Sequence, residues 1–369
     1  MRLFAQDLTT DTLQHIAARG LSEAGGPKPL LLRVLVDLFV RRASHSDDEI
    51  QHFAEIAYTV LPGATAAEID HAAMRLARHP SAPGELLDLL ATRAREGALA
   101  LLTHSRRLAT RVLHDAAANG SPQIAQALAA RNDLDPLTIS LLIARPDPKV
   151  HLRLVQNHAA PISDHIGILV ERAKDNADLA RALCERLPRR AECWALFVQA
   201  TRPSRLIMIG AAQHQLGFQE THASLILEAT NQTALRRLQA AAQETYNTQA
   251  AFIETLTDVL PCAPETACEL TQDAGGEPLV LVLRALGAEP QMVKDIAQSL
   301  QPDLTQGQLI WRQSLAASLP SRVAQELVAC LTGARMSPHH QPLYDQDFAA
   351  AHPLAHKRPD SSSAQALTA

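Results

Sequence analysis

An all-helical repeat array is the fold class that this sequence predicts, and three observations predict it. Apolar residues make up 47% of the chain and aromatic residues only 3%, the apolar load being mostly Ala and Leu, which are strong helix formers. The pattern of apolar and polar positions between Pro83 and Arg186 recurs every 26 residues. Pro, Gly, Asn and Asp sit between the short apolar runs, where they end one helix and open the next.

Taken in order, Leu8 to Arg19 read as a short amphipathic helix, with Leu13, Ile16 and Ala17 on one side and Gly20 at its C-cap. A second helix is expected from Pro29 to Arg42, with Leu31, Leu35, Leu38 and Phe39 on its apolar stripe and Arg41 and Arg42 at its negative end. The next opens at Ser46 as N-cap, carries Asp47, Asp48 and Glu49 in its first turn, turns Ile50, Phe53, Ile56, Ala57 and Val60 inward, and stops at Pro62-Gly63. Thr65 and Glu68 form a capping box for a fourth helix that contains Ile69, Ala73 and Leu76.

From Pro83 the chain repeats. At an offset of 26, Leu86 corresponds to Val112, Leu102 to Leu128 and Ser105 to Arg131, and again Leu108 to Leu134, Leu113 to Ile139, Leu128 to Leu154 and Arg131 to Asn157. A fourth unit starts with Leu134 matched to Ala160 and Leu142 to Ile168. It then gains three residues, so that Val150, Leu154 and Asn157 match Leu179, Leu183 and Arg186 at an offset of 29. The pattern puts this insertion in the turn at Lys174-Asp175-Asn176. Each unit reads as helix, turn, helix, with Asn119-Gly120-Ser121-Pro122 and Arg145-Pro146-Asp147-Pro148 as turns. Helix-pair solenoids usually repeat at more than about thirty residues. The helices here are therefore only two or three turns long, and they gain their stability by burying Leu, Ile and Val against neighbouring units.

Beyond Leu187 the rhythm weakens. Ala191 to Gln199 and Ser204 to Gln213 keep a helical pattern, with Trp194, Leu196, Phe197 and Ile207 as core. Further helices are expected near Ala223–Glu228, Thr233–Tyr246, Gln249–Val259, Pro264–Asp273, Pro278–Leu286, Pro290–Leu300, Gln306–Ala317 and Pro320–Leu331. From Gly333 the chain is rich in His, Pro, Ser and Gln without sustained period, which predicts disorder. The expected division is an N-terminal helical cap (1–79), helical repeats (80–200), a C-terminal helical region (201–333) and a disordered tail (334–369).

The formal net charge is −5 over 369 residues, so no global positive field draws nucleic acid or anionic lipid to the chain. No apolar run approaches the roughly 20 residues of a membrane span, and the N-terminus lacks the basic-then-apolar design of a secretory signal. A cytoplasmic protein is expected. Cys184, Cys193, Cys262, Cys268 and Cys330 include no Cys-x-x-Cys pair, which fits neither a disulfide framework nor a thiolate zinc site and predicts buried small apolar residues.

The run Ala130-Arg131-Asn132-Asp133-Leu134, then Lys149-Val150 through Gln156-Asn157-His158-Ala159-Ala160-Pro161-Ile162-Ser163, resembles an uncharacterised bacterial family with HEAT-like helical repeats, known only as a domain of unknown function. The resemblance covers Leu30 to about Phe197 and is strongest between Ala82 and Arg186. It implies an intracellular bacterial protein with a curved HEAT-like solenoid, and brings no catalytic residues with it.

Ser105, Arg131, Asn157 and Arg186 end the second helix of successive units and should form a ladder along one edge. One reading is that they cap exposed carbonyls at the inter-repeat turns. The other is a binding ridge on which Arg131, Arg153, Asn157 and Arg186 contact an acidic or phosphorylated partner. From His104 to Arg190 there are 13 Lys/Arg against 9 Asp/Glu, while the rest of the chain has 21 against 30, so the array is mildly basic on an acidic molecule.

No metal site is expected. His-Glu-x-x-His is absent, and His45 with His52, or His158 with His165, supply only two ligands each. His339-His340 and the pair His352 and His356 suit adventitious metal only. His114-Asp115 lacks the accompanying His and Asp of a metal phosphohydrolase. Neither Gly-x-Ser-x-Gly nor a P-loop occurs, and no cofactor is expected. HEAT-like DNA glycosylases offer an alternative, a nucleic-acid-binding protein or enzyme. Trp194 and Trp311 are far apart in sequence, however, and the acidic balance removes the main driving force for phosphate binding. The expected function is non-enzymatic, a scaffold or adaptor that binds a protein partner.

Overall fold

The computed structural model describes residues 31–216, 225–244, 248–260 and 262–332, with side chains from 232 onward in the second stretch. The expected helix at Leu8 to Arg19 and the tail from Gly333 lie outside the described residues. Every regular element within them is helical, and none of their helices is long and apolar enough to cross a membrane. The chain divides by its internal contacts into two units, Met1–Ala211 and Ala212–Ala369. The stretches expected as N-terminal cap and as repeats thus belong to one unit.

The first unit is an all-α repeat solenoid. Helix α1 (Leu31–Phe39) is followed by five helix pairs: α2 (Asp47–Val60) with α3 (Ala66–Leu76), α4 (Gly84–Arg93) with α5 (Glu96–His104), α6 (Thr110–Asn119) with α7 (Pro122–Ala129), α8 (Pro136–Ala144) with α9 (Pro148–Gln156), and α10 (Ile166–Ala173) with α11 (Ala177–Arg186). Helix α12 (Arg202–Leu216) runs across the boundary into the second unit.

Local chemistry sets the starts of these helices. Ser46 and Thr65 each complete a reciprocal capping box with Glu49 and Glu68, satisfying two backbone donors at once. Ser121, Asp135 and Asp147 are N-caps with proline directly after them, where its missing N–H costs nothing. From α4 to α11 the helices are two or three turns long, as the short period requires. One row of them is continuous: α1, α3, α5, α7, α9 and α11 each pack on the next. Leu101, Leu128, Leu154 and Leu183 are fully buried along this row.

The structure moves five expected features. The inserted residues of the fourth unit lie in the linker between α9 and α10, which contains a 3-10 turn at Ser163–His165. The α8–α9 and α10–α11 turns span 145–147 and 174–176 and have equal length. The pairing of Leu142 with Ile168 fails, because Leu142 is buried and Ile168 is 50% exposed. In α1 the core residues are Leu32, Leu35, Val36 and Phe39, leaving Leu31 and Leu38 half-buried at the edges of the stripe. Ala191–Leu196 is a 3-10 helix that buries Cys193, Trp194 and Leu196. In α12 it is Met208 and Ile209 that are buried, while Ile207 is 43% exposed.

The second unit holds α13 (Leu225–Ala242), α14 (Thr248–Val259), α15 (Pro264–Gln272), α16 (Glu277–Ala285), α17 (Pro290–Leu300), α18 (Gln306–Ser318) and α19 (Ser321–Thr332). Helices expected at Ala223–Glu228 and Thr233–Tyr246 are one element, α13. Helix α16, Glu-Pro-Leu-Val-Leu-Val-Leu-Arg-Ala, is buried at every position but Arg284 and packs on α15, α17, α18 and α19. A helix apolar on all sides belongs at the centre of a bundle. It begins after Gly276, whose φ of 81° is left-handed, a conformation that glycine adopts without Cβ strain. The Cα of Gly276 faces the guanidinium of Arg312, a side chain only 1% exposed.

Candidate interaction surface

A helix leaves its last carbonyls without intrahelical partners and carries negative charge at that end. Many helices answer this with a left-handed glycine. Here the C-caps Ser105, Gly120, Arg145 and Asn157 are all extended, so the carbonyls need another donor. The following repeat supplies it.

Arg131 donates from Nη1 to Leu102 O at 2.6 Å and from Nη2 to Ser105 O at 2.8 Å, at the end of α5 in the preceding unit. Its Nε and Nη2 also hold both carboxylate oxygens of Asp133. Asn157 donates from Nδ2 to Ala129 O and Arg131 O at 3.0 and 2.6 Å, at the end of α7. Arg186 reaches Leu154 O and Val155 O at 2.9 Å and Ala160 O at 2.5 Å, at the end of α9. Burial lowers the pKa of the Arg186 guanidinium, which still remains charged as arginine does in proteins.

A parallel ladder runs along the first helices. Arg145 donates to Ala117 O, Ala118 O and Gly120 O at 3.0, 2.8 and 2.7 Å, and Arg172 donates to Ile143 O and, at 2.9 Å, Arg145 O. The device extends past the repeats. Arg205 caps Phe197 O and Val198 O, and in the second unit Arg284 caps Leu319 O while Gln301 caps Thr271 O.

The opposite ends of the first helices are pinned too. Asp88 Oδ1 accepts the Ala109 N–H at 2.9 Å, at the start of α6. One repeat on, His114 Nε2 lies 3.0 Å from Asp135 Oδ1 at the start of α8, and one further Ser140 lies 3.2 Å from His165 Nε2 before α10. Burial would raise the pKa of Asp135, but hydrogen bonds from Thr138 and His114 outweigh it and lower the value to about 2. Asp88, His114 and Ser140 recur one period of 26 residues apart, which is the signal in the sequence for this second set of contacts. In the sequence Arg145 reads as an ordinary turn residue, and nothing in the pattern sets Arg172 apart as its counterpart.

His151 is 3% exposed, and Arg172 Nη1 lies 2.5 Å from its Nε2, a contact that only a neutral imidazole can accept. Burial first and the Arg172 charge second lower the His151 pKa. Burial, Arg78 and Arg131 do the same to His104. As the pH falls through the ordinary histidine value near about 6.5, the unfolded chain takes up protons that the folded chain refuses, so stability is lost. Between pH 7.5 and 5.5 the urea-unfolding free energy of the wild type should therefore fall more than that of His151→Gln, whose amide oxygen still accepts from Arg172. Equal losses would show that His151 does not set the acid sensitivity.

Of the four residues expected on a binding ridge, Arg131 is 5% exposed, and Asn157 and Arg186 are half-buried. All three have their donors turned to carbonyls of the neighbouring unit. Arg153 is exposed on the outward face of α9 beside Lys149, and among the described residues neither side chain makes a hydrogen bond or ion pair. The structure thus brings Arg131, Asn157 and Arg186 into one ladder and sets Arg153 apart from it.

His45 stacks on Phe39 at 4.0 Å and His52 contacts Asp48 O, and His114 faces Asp135, while Asp115 accepts from Asn119. No group of three potential metal ligands occurs among the described residues. All five cysteines are free. Cys184 and Cys193 are fully buried, with thiol pKa values pushed up to about 12 by burial. Cys262, Cys268 and Cys330 are half-buried. Trp194 is core and Trp311 half-buried, in different units.

No family model, no curated protein and no solved structure matches the chain.

Proposed function

We propose that the protein is a non-enzymatic helical-repeat scaffold that docks a protein partner on the outward face of its second-helix row, α1 to α11. One observation carries this reading. Arg131, Arg145, Asn157, Arg172 and Arg186 are committed to joining repeat to repeat, whereas the side chains of Lys149 and Arg153 stand on that outward face with no hydrogen-bond or ion-pair partner among the described residues. Polar groups used in this way make a stiff platform, and the exposed cations supply steering toward a partner of opposite charge. A cytoplasmic bacterial setting, as the family resemblance implies, belongs to the same proposal.

The test is affinity capture from lysate of the source cells with the full chain as bait. Lys149→Glu with Arg153→Glu should lose specific partners. A first-helix control, Glu55→Lys on exposed α2 surface, should retain them. Identical captured sets for both variants, or turnover of a substrate abolished by one polar substitution in the array, would overturn the reading.

A further inference from the structure

Arg172 differs from the other cap donors in what lies beside it. A terminal guanidinium nitrogen carries two hydrogens, and Nη1 of Arg172 faces three acceptors: Ile143 O, Arg145 O at 2.9 Å and His151 Nε2 at 2.5 Å. Ile143 O is itself 3.2 Å from the same His151 Nε2. While the imidazole is neutral and accepts, two of the three acceptors share one hydrogen, an arrangement common at helix ends. A proton on Nε2 turns that acceptor into a second cation, pressed against the first.

The neighbouring seam is built alike but without the imidazole. Arg145 caps the end of α6 from the following pair, as Arg172, 27 residues on, caps the end of α8. At offsets of 26 and 29 the position of His151 is taken by Ala125 in α7 and Ala180 in α11, both fully buried. Packing along this row therefore calls only for a small apolar side chain, and the histidine is particular to one seam.

Few other charges act on the ring. Helices α7 and α8, packed on α9, carry no charged residue. On α11 Asp178 and Arg181 pair with each other at 3.8 Å, Glu185 is exposed, and Arg186 holds the opposite end of α9. On α10 Glu171 is turned to Lys174 at 2.8 Å, and on α9 itself Lys149 and Arg153 are exposed. That leaves Arg172, which opposes a charge on the ring, and Asp147, the N-cap of α9, which favours one. Hydrogen bonds from the ring to Ile143 and Arg145 carbonyls also favour its charged form.

We infer that His151 is an acid-operated release for the seam between the α8–α9 pair and the α10–α11 pair. A proton taken from solvent lets the ring donate to Ile143 O and Arg145 O from within its own pair, and the guanidinium of Arg172 is displaced. Arg172 is half-buried, so rotation of its side chain carries the charge to water. Helix α8 keeps a donor at its end, but that donor no longer comes from α10. General loss of stability in acid needs only a buried neutral histidine, whereas this release needs the histidine and the arginine together. The inference is independent of the scaffold reading.

Hydrogen–deuterium exchange of the full-length protein tests it, without denaturant, at pH 7.5 and 5.5, with labelling times matched for the intrinsic pH dependence of exchange. One unit below the ordinary histidine value near about 6.5, a proton taken up only by the released state raises that state's population about tenfold. Exchange in α10 should rise by about that factor, while α8, which is joined to its predecessor by Arg145, should not respond. His151→Gln, which cannot become a cation, should abolish the rise. Arg172→Gln should speed exchange in α10 at pH 7.5 and remove its acid dependence, because no cation remains to be displaced. A histidine acting through its burial alone would keep that dependence. The inference is overturned if α10 responds to acid no more than α8, if His151→Gln still responds, or if Arg172→Gln keeps the response. Circular dichroism at both pH values checks that the variants fold, and if Arg172→Gln does not, the comparisons of α10 with α8 and of wild type with His151→Gln decide alone.

Discussion

Replacing Arg131 with alanine should lower the unfolding free energy by about 3 kcal/mol in denaturant titrations. Truncation leaves two inward-facing carbonyls, Leu102 O and Ser105 O, without their charged donor, and each such orphaned group costs about 1–3 kcal/mol. Part of that is recovered if water reaches the site. Arg131→Lys should fall between wild type and alanine, because an ammonium cannot span two carbonyls and a carboxylate as the guanidinium fork does. Arg153→Ala, at an exposed residue whose side chain has no hydrogen-bond or ion-pair partner among the described residues, should stay within about 0.5 kcal/mol of wild type. Amide exchange should speed up at the end of α5 in Arg131→Ala, although the residue lies in the next repeat. If Arg131 and Arg153 prove equally neutral, the ladder does not hold the repeats together.

Gly276→Ala should be at least as damaging, with a loss of about 3–5 kcal/mol. Two costs combine. A side chain at φ 81° carries left-handed strain of roughly 1–2 kcal/mol. The new Cβ would also lie 2.2 Å from Nε, 2.4 Å from Cζ and 2.6 Å from Nη2 of Arg312. That guanidinium is buried, so it cannot swing into solvent without opening the contact beneath α16. Gly287 is the matched control: its φ is 91° and nothing lies within 4 Å of a Cβ built there. Gly287→Ala should pay only the backbone cost, and the difference between the two melting curves isolates the collision with Arg312.

The helical period was legible in the sequence because every repeat buries the same Leu, Ile and Val positions, and burial is what an apolar pattern records. Proline at the first helical position marked starts well: Pro290–Leu300 is found as expected. Pattern matching failed where an apolar residue faces out. Ile168 and Ile207 look like core in a string of letters and are exposed in space, and the first of them carried the insertion into the wrong turn. The edge ladder was legible as a row of positions, Ser105, Arg131, Asn157 and Arg186, but not as a set of bonds. An arginine at the end of a helix has the same neighbours in sequence whether it reaches out to a partner or back to the preceding repeat. Arg153, one turn earlier in its helix, carries the same side chain and remains outside the ladder. Only the three-dimensional offset between units separates them.

Each cap in the ladder comes from the repeat that follows. Arg131 closes a helix end 26 residues upstream at Ser105, and Arg186 closes the end of α9 at Leu154 and Val155. On the ribosome the chain emerges from its N-terminus, so a newly made helix pair has bare carbonyls until another repeat has been synthesised. Completion of the array trails translation by one unit. A chain stopped between α7 and α8 after Ala130 would expose the end of α5 without Arg131, whereas removal of the first pair would take no donor from those that remain. Damage from the two ends is therefore unequal, and the last unit made is the one that finishes its predecessor.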